Sequence, residues 1–417
     1  MTFGTIKHLL QNSFLKELSI LFTGTAIAQT ITLISLPILT YLFSPSQFGS
    51  FALFFTIVNA IGFISAGRFD AALMLPNNNK QAETLFSLGF GLCVCVSILS
   101  GIVFALIPQK FLVPSFQKVL IDFNVEIPIS IFLVGTYTLL VAKYNRDKNY
   151  KQMSIARILQ NVTVSATSIG LGYVTFGTKG LVYGFIAGQF LSAMFLIIGN
   201  TKLFYVHRIN RNELFQLGKE YASFPLFSVP MVLLNTISIN ILIFLLTIYA
   251  GSSFVGLYSQ AYKAVSYPFF ILSSSFVPIF YQRITVSVKK REMALYTCLG
   301  SIVIGILLLL PIYFWGETLF AFVFGEKWRL SGRIAALLIP LSIASFTANN
   351  VSSFFAVINK NHILLIWQVL YVTLAVCLIY MLRNGDKIQL ITLFSWFGMV
   401  MYGILTSILL FIVKDTK

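Results

Sequence analysis

From Leu18 to Gly67 the chain runs through 50 residues without Lys, Arg, Asp or Glu, and the same texture recurs to the end: long apolar stretches cut by short polar segments. The hydrocarbon core of a bilayer takes about 20 apolar residues of helix. Cutting the uncharged runs at turn signals predicts twelve helices, near 18–42, 48–67, 84–107, 125–142, 155–176, 180–200, 222–249, 253–282, 293–315, 334–357, 361–382 and 389–413. The fourth is the weakest, with Pro128 at its start and only 16 uncharged residues, Ile127 to Ala142. The predicted fold class is all-α, a polytopic membrane protein of twelve transmembrane helices.

Loop charges orient the chain. With both termini in the cytoplasm, cytoplasmic segments hold twenty of the 29 Lys and Arg, external segments hold eight, and Lys263 is left inside a span. Basic residues are retained on the cytoplasmic side, so this split supports cytoplasmic termini. Removing the fourth span would put the basic 202–219 and 283–291 segments outside. Residues 1–16, with Lys7, His8 and Lys16, resemble the start of a signal peptide, but the apolar run that follows is too long for one and predicts a retained first helix.

Composition agrees: 57% of residues are hydrophobic and 10% charged, against about 25% charged in a soluble domain. The formal charge of +16 would suggest nucleic acid in a soluble chain; here topology accounts for it, and no nucleic-acid partner is expected. Cys93, Cys95, Cys298 and Cys377 lie in apolar runs without further ligands at metal spacing, so buried free thiols are expected and no metal or cofactor. His8, His207 and His362 form no cluster.

The chain also looks duplicated. "SQFGSFALFFTIVN" (46–59) and "SFVGLYSQAYKAVS" (253–266) match in Ser, Gly, aromatic and Val positions at an offset of 207 residues. Asn145-Arg146 echoes Asn359-Lys360 at the end of the fourth span of each half. Residues 1–200 and 221–417 are therefore expected to form two pseudo-symmetric six-helix bundles joined by a cytoplasmic linker, 201–220. Such halves around a midplane cavity are a transporter architecture.

Ionisable residues within the bilayer are costly and mark functional positions. Lys263 lies ten residues into the eighth span, and Ser252, Gly256, Ser259, Ser266 and Ser273 recur with it at helical spacing, predicting a small hydroxylated face that lines a polar space. Similar stripes hold Thr25, Gln29 and Thr32; Ser154, Arg157, Asn161, Ser165 and Ser168; Ser228, Asn235 and Ser238; and Ser342, Ser345, Asn349 and Ser352. None of the thirteen Asp and Glu falls near the middle of a span. A cavity of lysine, arginine, amides and hydroxyls suits an anionic ligand. The candidate substrate-binding residues are Lys263, Arg68, Arg157, Asn235, Asn349 and Gln29.

"FGSFALFFTIVNAIGFISAGRFDAALMLPNNNKQAETLF" (48–86) resembles the signature near the second span of the polysaccharide-transporter family. These are repeat-unit flippases for O-antigen, capsule and exopolysaccharide, within the multidrug/oligosaccharidyl-lipid/polysaccharide exporter superfamily. "GLYSQAYKAVSYPFFILSSSFVPIFYQRIT" (256–285) is similar to their eighth-span region, and "YNRDKNYKQMSIARILQN" (144–161) to their loop after span four. The resemblance implies two six-helix bundles around a central cavity open alternately to each membrane face. It also implies an oligosaccharide substrate on an undecaprenyl diphosphate carrier, a location in the cytoplasmic membrane, contact with membrane lipids, and other polysaccharide-assembly membrane proteins as partners. Arg68 is then expected at the cytoplasmic mouth, and Asp70 is assigned a gating or structural role. Two residues apart on a helix, their side chains should diverge by about 200°. "AALML" would follow the interface, with Pro76 ending it and Asn77 to Asn79 forming a solvated turn.

Three rivals remain. A multidrug or cation antiporter of the same superfamily would need buried acids. A membrane glycan polymerase would need an acid, base or metal site on a sizeable external region, whereas the external 108–127 loop offers only Asp122 and Glu126. A non-transporting scaffold leaves the polar stripes unexplained. No enzymatic activity is expected.

Overall fold

The structure, a computed structural model, describes residues 13–108, 112–199, 211–286, 290–352, 354–357 and 360–413; residues 201–210 of the expected linker, with His207, lie outside these, as do His8 and Asn359. Every predicted span falls on helix. In chain order these are α1 (Ser13–Leu42), α2 (Pro45–Gly62), the short α3 (Phe69–Ala72), α4 (Asn79–Leu106), the short amphipathic α5 (Pro114–Asp122), α6 (Glu126–Arg146), α7 (Tyr150–Tyr173) and α8 (Thr178–Gly199). There follow α9 (Arg211–Glu220), a π-helical turn (Phe224–Ser228) leading into α10 (Val229–Tyr249), α11 (Ser252–Val286) and α12 (Lys290–Phe324). The last are α13 (Arg329–Leu337) and α14 (Ile339–Ser352), which share the tenth predicted span, then α15 (Phe354–Val357), α16 (Asn361–Leu382) and α17 (Lys387–Ile412). The weak fourth prediction is a 21-residue helix whose most apolar stretch is 61% buried. It reads as weakly apolar because it faces protein more than lipid.

Local chemistry sets the ends. Asn78 caps α4 by accepting the Lys80 N–H at 3.0 Å, Asn149 caps α7 through Gln152 at 3.4 Å, and Asp386 caps α17 through Ile388 at 3.2 Å; each satisfies an amide that has no partner within its helix. Thus "PNNNK" is a helix start rather than only a solvated turn.

Two expectations change. The second helix ends at Gly62, not Gly67: Ile64, Ser65 and Gly67 donate three residues back instead of four, and Gly67 and Arg68 adopt φ of 61° and 62°. Of the thiols, Cys93 and Cys298 are buried, but Cys95 and Cys377 are exposed. They occupy outward faces of spanning helices, where lipid tolerates a small apolar side chain.

The chain divides into two compact units, one of residues up to Ser35 with Leu53–Thr236, the other of Leu36–Ala52 with residues from Ile237 onward. In the first, α7 and α8 pack through small residues: a Cβ on Gly184 would strike Ser168, and one on Gly188 would strike Val164. Close approach of backbones through glycine is how helices gain dispersion energy where lipid offers no hydrophobic drive. The Tyr144 hydroxyl donates to the Leu196 carbonyl at 2.7 Å, fixing α6 against α8. In the second unit, Trp328 is fully buried and its indole N–H donates to the Thr40 carbonyl at 3.0 Å, while Lys327 Nζ reaches the Tyr41 carbonyl at 3.1 Å. Those carbonyls belong to the last turn of α1, which has no helical donors of its own and carries the negative end of the helix dipole.

Candidate functional site

In the second unit α2 and α11 cross through glycine. A Cβ on Gly49 would strike the Ser252 carbonyl, and a Cβ on Gly256 would strike the Pro45 carbonyl. These are equivalent positions of the 207-residue echo, so the contact is reciprocal: each helix offers the other the same glycine. The crossing brings the ring-bearing face of α2 to Lys263, about 16 Å along α11 from Ser252 at 1.5 Å per residue. The half-buried Lys263 ammonium stands 6.0 Å from the Phe48 ring centre and 5.7 Å from that of Phe51. Both distances fall within the reach of cation–π attraction. Phe48 is braced edge-on by Trp328 at 5.1 Å. Among the described residues, no carboxylate forms an ion pair with Lys263.

The serine-glycine face of α11 does not line one continuous polar space. Ser252 and Gly256 lie against α2, the buried Ser259 hydroxyl donates to its own helix at Gly256, and Ser273 donates to Asn350 Oδ1 at 2.7 Å. Lys263 and Ser266 are the part-exposed positions between them. Small residues near the start of a membrane helix serve backbone approach first, which is why the stripe overstated the polar surface.

Aromatic residues missing from the sequence-based candidates gather in the same unit. Tyr258 and Tyr262 stack at 6.0 Å on α11. Trp367 and Tyr371 stack at 5.1 Å on α16, with the Tyr402 ring 4.9 Å from Trp367. The signal was present: both stacked pairs are four residues apart, the spacing that puts two side chains on one helix face. Asn349 is exposed on α14, whereas its neighbour Asn350 is buried and bonded to Ser301 and Ser273. Asn235 is exposed on α10 and is held by an interaction of its own.

In the first unit α1 and α7 form a polar ladder. Arg157 Nη1 donates to Thr25 Oγ1 at 2.6 Å, Thr32 Oγ1 donates to Asn161 Oδ1 at 2.9 Å, and Ser165 donates to Ser35 at 3.0 Å. The part-buried Gln29 sits on α1 between Thr25 and Thr32. Arg157, Gln29 and Asn161 are therefore brought together, while Ser154 and Ser165 act as helix-to-helix ties.

Arg68 and Asp70 meet directly, contrary to the divergence expected on a helix: Arg68 Nη1 lies 3.2 Å from Asp70 Oδ2. Arg68 is left-handed at φ 62° and precedes the short α3, so the helical angle does not apply. Asp70 is 8% exposed. Burial pushes its carboxyl above the ordinary carboxylate range, and the neighbouring Arg68 pulls it back only in part. Arg146 straps the following loop by donating to the Leu73 carbonyl at 2.7 Å.

Comparison with known proteins fits this geometry. The protein is 23% identical over 323 residues to the "Succinoglycan biosynthesis transport protein ExoT" of Rhizobium meliloti (strain 1021); the match takes in 73% of this chain and spans 61% of the length of that relative. Among solved structures it resembles the lipid II flippase MurJ in an inward closed conformation, at TM-score 0.71 and 14% identity over 93% of this chain and 86% of that one. An inward-facing MATE family multidrug resistance transporter of the MOP superfamily gives 0.69 at 15% identity, over 93% and 96%. These similarities show a shared fold. Residues 38–332 match the family described as "Polysaccharide biosynthesis protein", and the chain belongs to that family.

Proposed function

We propose that the protein is a flippase. It moves an undecaprenyl-diphosphate-linked oligosaccharide repeat unit from the cytoplasmic to the outer leaflet by alternating access, for O-antigen, capsule or exopolysaccharide synthesis. The observation that carries this reading is Lys263, a cation within a spanning helix held by rings rather than by a carboxylate. A diphosphate entering lipid is partly dehydrated, and an unpaired buried anion costs far more than a paired one. An ammonium whose partners are Phe48 and Phe51 has no carboxylate, among the described residues, to give up before it pairs with such a ligand. The tyrosines nearby suit the saccharide, since rings pack on sugar faces while hydroxyls bond sugar hydroxyls. On this reading Arg157, Gln29 and Asn235 of the first unit and Asn349 of the second are further substrate-binding residues, each within its own unit, and the Arg68–Asp70 pair holds the cytoplasmic mouth.

The family and the names of two similar proteins, a polysaccharide-biosynthesis transport protein and a lipid II flippase, support the choice over a cation antiporter. The membrane field favours the direction: with the cytoplasm negative, each negative charge carried fully outward gains about 2.3 kcal/mol per 100 mV. The test is reconstitution in vesicles with a labelled undecaprenyl-diphosphate oligosaccharide made accessible on one face, following its appearance on the other. Transport that requires the protein supports the reading. Equal rates with empty vesicles refute it.

A further inference from the structure

Gly256, Gln260 and Lys263 follow one another on α11 at intervals of four and three residues, which places all three within about 60° of each other around the helix. The first and last of them face α2: a Cβ on Gly256 would strike the Pro45 carbonyl, and the Lys263 ammonium stands against the Phe48 and Phe51 rings. Gln260 sits between them along the helix and lies on the same face. It is 0% exposed, and neither its Oε1 nor its Nε2 has a hydrogen-bond partner. Among the described residues, no other side chain has two buried polar atoms without a partner.

The fold does not use this amide as a tie. Asn350, by contrast, is buried and bonded at both ends of its amide, donating to Ser301 at 3.0 Å and accepting from Ser273 at 2.7 Å. A buried donor or acceptor left unpaired is costly, and a methionine of similar size would fill the same space without that cost. Packing therefore does not account for a glutamine here, whereas a ligand does. Side chains three apart on a helix are neighbours, so the carboxamide adjoins the Lys263 side chain. A glutamate has the same shape but would bring a negative charge to the lysine and cancel it. The amide instead offers two N–H donors and no charge. A cation beside a neutral N–H donor matches a ligand rich in negative charge and acceptor oxygens, as a phosphate is. The cover near Gln260 is light: one turn away, α2 and α11 meet through Gly49 and Gly256, which have no side chains to interlock.

We infer that Gln260 is a further ligand residue of the Lys263 site, donating its amide N–H to the phosphoryl oxygens of the anion that the ammonium pairs with. The conformation described here keeps that amide covered, and parting α2 from α11 presents it. The inference rests on the flippase reading and adds to it a neutral donor that tunes the site for anions. A glutamine in this place strengthens the hold on phosphate without supplying the acid that would compete for the lysine.

The test uses purified full-length protein in nanodiscs and two labelled probes, undecaprenyl diphosphate and undecaprenol, which has the same tail and no phosphate. The quantity read is the ratio of their affinities, which does not depend on how much of a variant is folded. Gln260→Met removes the amide at nearly constant size and should lower that ratio by about 10- to 150-fold, the range for a hydrogen bond to a charged group. Gln260→Glu keeps the shape, adds the competing charge and should lower it further. Should one variant fail to fold, the other still decides. A ratio equal to that of the unaltered protein in the variants that fold overturns the inference, and so does a loss of both probes in equal proportion, which belongs to a packing residue. Vesicle transport by the unaltered protein is scored separately. Transport with a ratio indifferent to Gln260 sinks only the ligand role of that residue, and a ratio that depends on Gln260 without transport sinks only the flippase reading.

Discussion

Replacing Lys263 is the sharpest perturbation, because its contacts predict a large loss of transport with a small loss of stability. In the resting protein the ammonium has two rings at 5.7 and 6.0 Å and no carboxylate partner among the described residues. Such contacts contribute about 0.5–1 kcal/mol each at part-exposed sites, so Lys263→Ala should cost the fold no more than about 2 kcal/mol. A charge-assisted hydrogen bond to phosphate contributes about 1.5–3 kcal/mol, which converts to about 10- to 150-fold in binding or rate. Lys263→Ala should therefore slow vesicle transport at low substrate concentration by that factor. Lys263→Glu adds repulsion and should fall below it. Lys263→Arg keeps the charge on a larger, planar head that the Phe48–Phe51 recess was not shaped for, and should retain part of the rate.

The assay is export of the labelled lipid-linked oligosaccharide, with protein amount matched by in-gel fluorescence and stability followed by thermal shift in detergent. Normal transport by Lys263→Glu would refute the reasoning outright. So would a collapse of protein level in all three variants with unchanged rates per surviving molecule, since that pattern belongs to a packing residue.

Three further outcomes follow from the packing. Gly256→Val should reduce the yield of folded protein, because its side chain is driven into the Pro45 carbonyl and overpacking of this kind costs about 1–3 kcal/mol; Gly300→Val, with open space around it, should not. Trp328→Phe should lower the melting temperature by removing the donor to Thr40, a buried bond whose loss costs about 1–3 kcal/mol because the carbonyl stays unpaired. For Asp70, the folded carboxyl is raised above its ordinary value, so the native state binds its proton more tightly than the unfolded chain. Its stabilising effect is full below the ordinary carboxylate range and is lost as pH rises through the raised value. Thermal-shift curves from neutral to acid pH should show wild type gaining on Asp70→Asn as pH falls, and parallel curves would contradict the assignment.

The helices were legible because long uncharged runs, cut at turn signals, mark membrane spans, and each predicted span overlaps helix even where, as at Gly62, the end differs. What escaped depends on backbone conformation or on partners distant in sequence. A helical angle was assigned to Arg68 and Asp70, but two consecutive left-handed residues, Gly67 and Arg68, reset the chain before α3. The serines of α11 looked like one polar surface, and only the echo glycines, Gly49 on α2 and Gly256 on α11, show why half of that face is an interface. Basic residues in the segments expected to be external counted against the topology, yet several have specific tasks of their own. Lys327 donates to the end of α1, Lys387 reaches the Ala250 carbonyl just past α10 at 3.3 Å, and Arg329 pairs with Glu326 at 2.6 Å. A charge tally cannot distinguish a residue that sets orientation from one that completes a helix end.

The same contrast bears on the role proposed for Lys263. Several other cations are neutralised by a neighbour: Arg68 by Asp70, Lys80 by Glu213 and Lys143 by Asp147, at 3.1 to 3.2 Å. An acid beside Lys263 would hold it equally well, but a diphosphate would then have to displace that acid and leave a buried carboxylate unpaired, which is strongly unfavourable. Aromatic rings attract the ammonium through their quadrupole without cancelling its charge. On the proposed reading the site would therefore accept an anion on one side of the membrane and release it on the other with no carboxylate, among the described residues, to part from Lys263. A cluster of arginines would bind more tightly and release more slowly. One lysine held by rings gives an attraction of a few kcal/mol, similar in size to the membrane field acting on a headgroup of about two charges, and so weak enough for that field to help empty it.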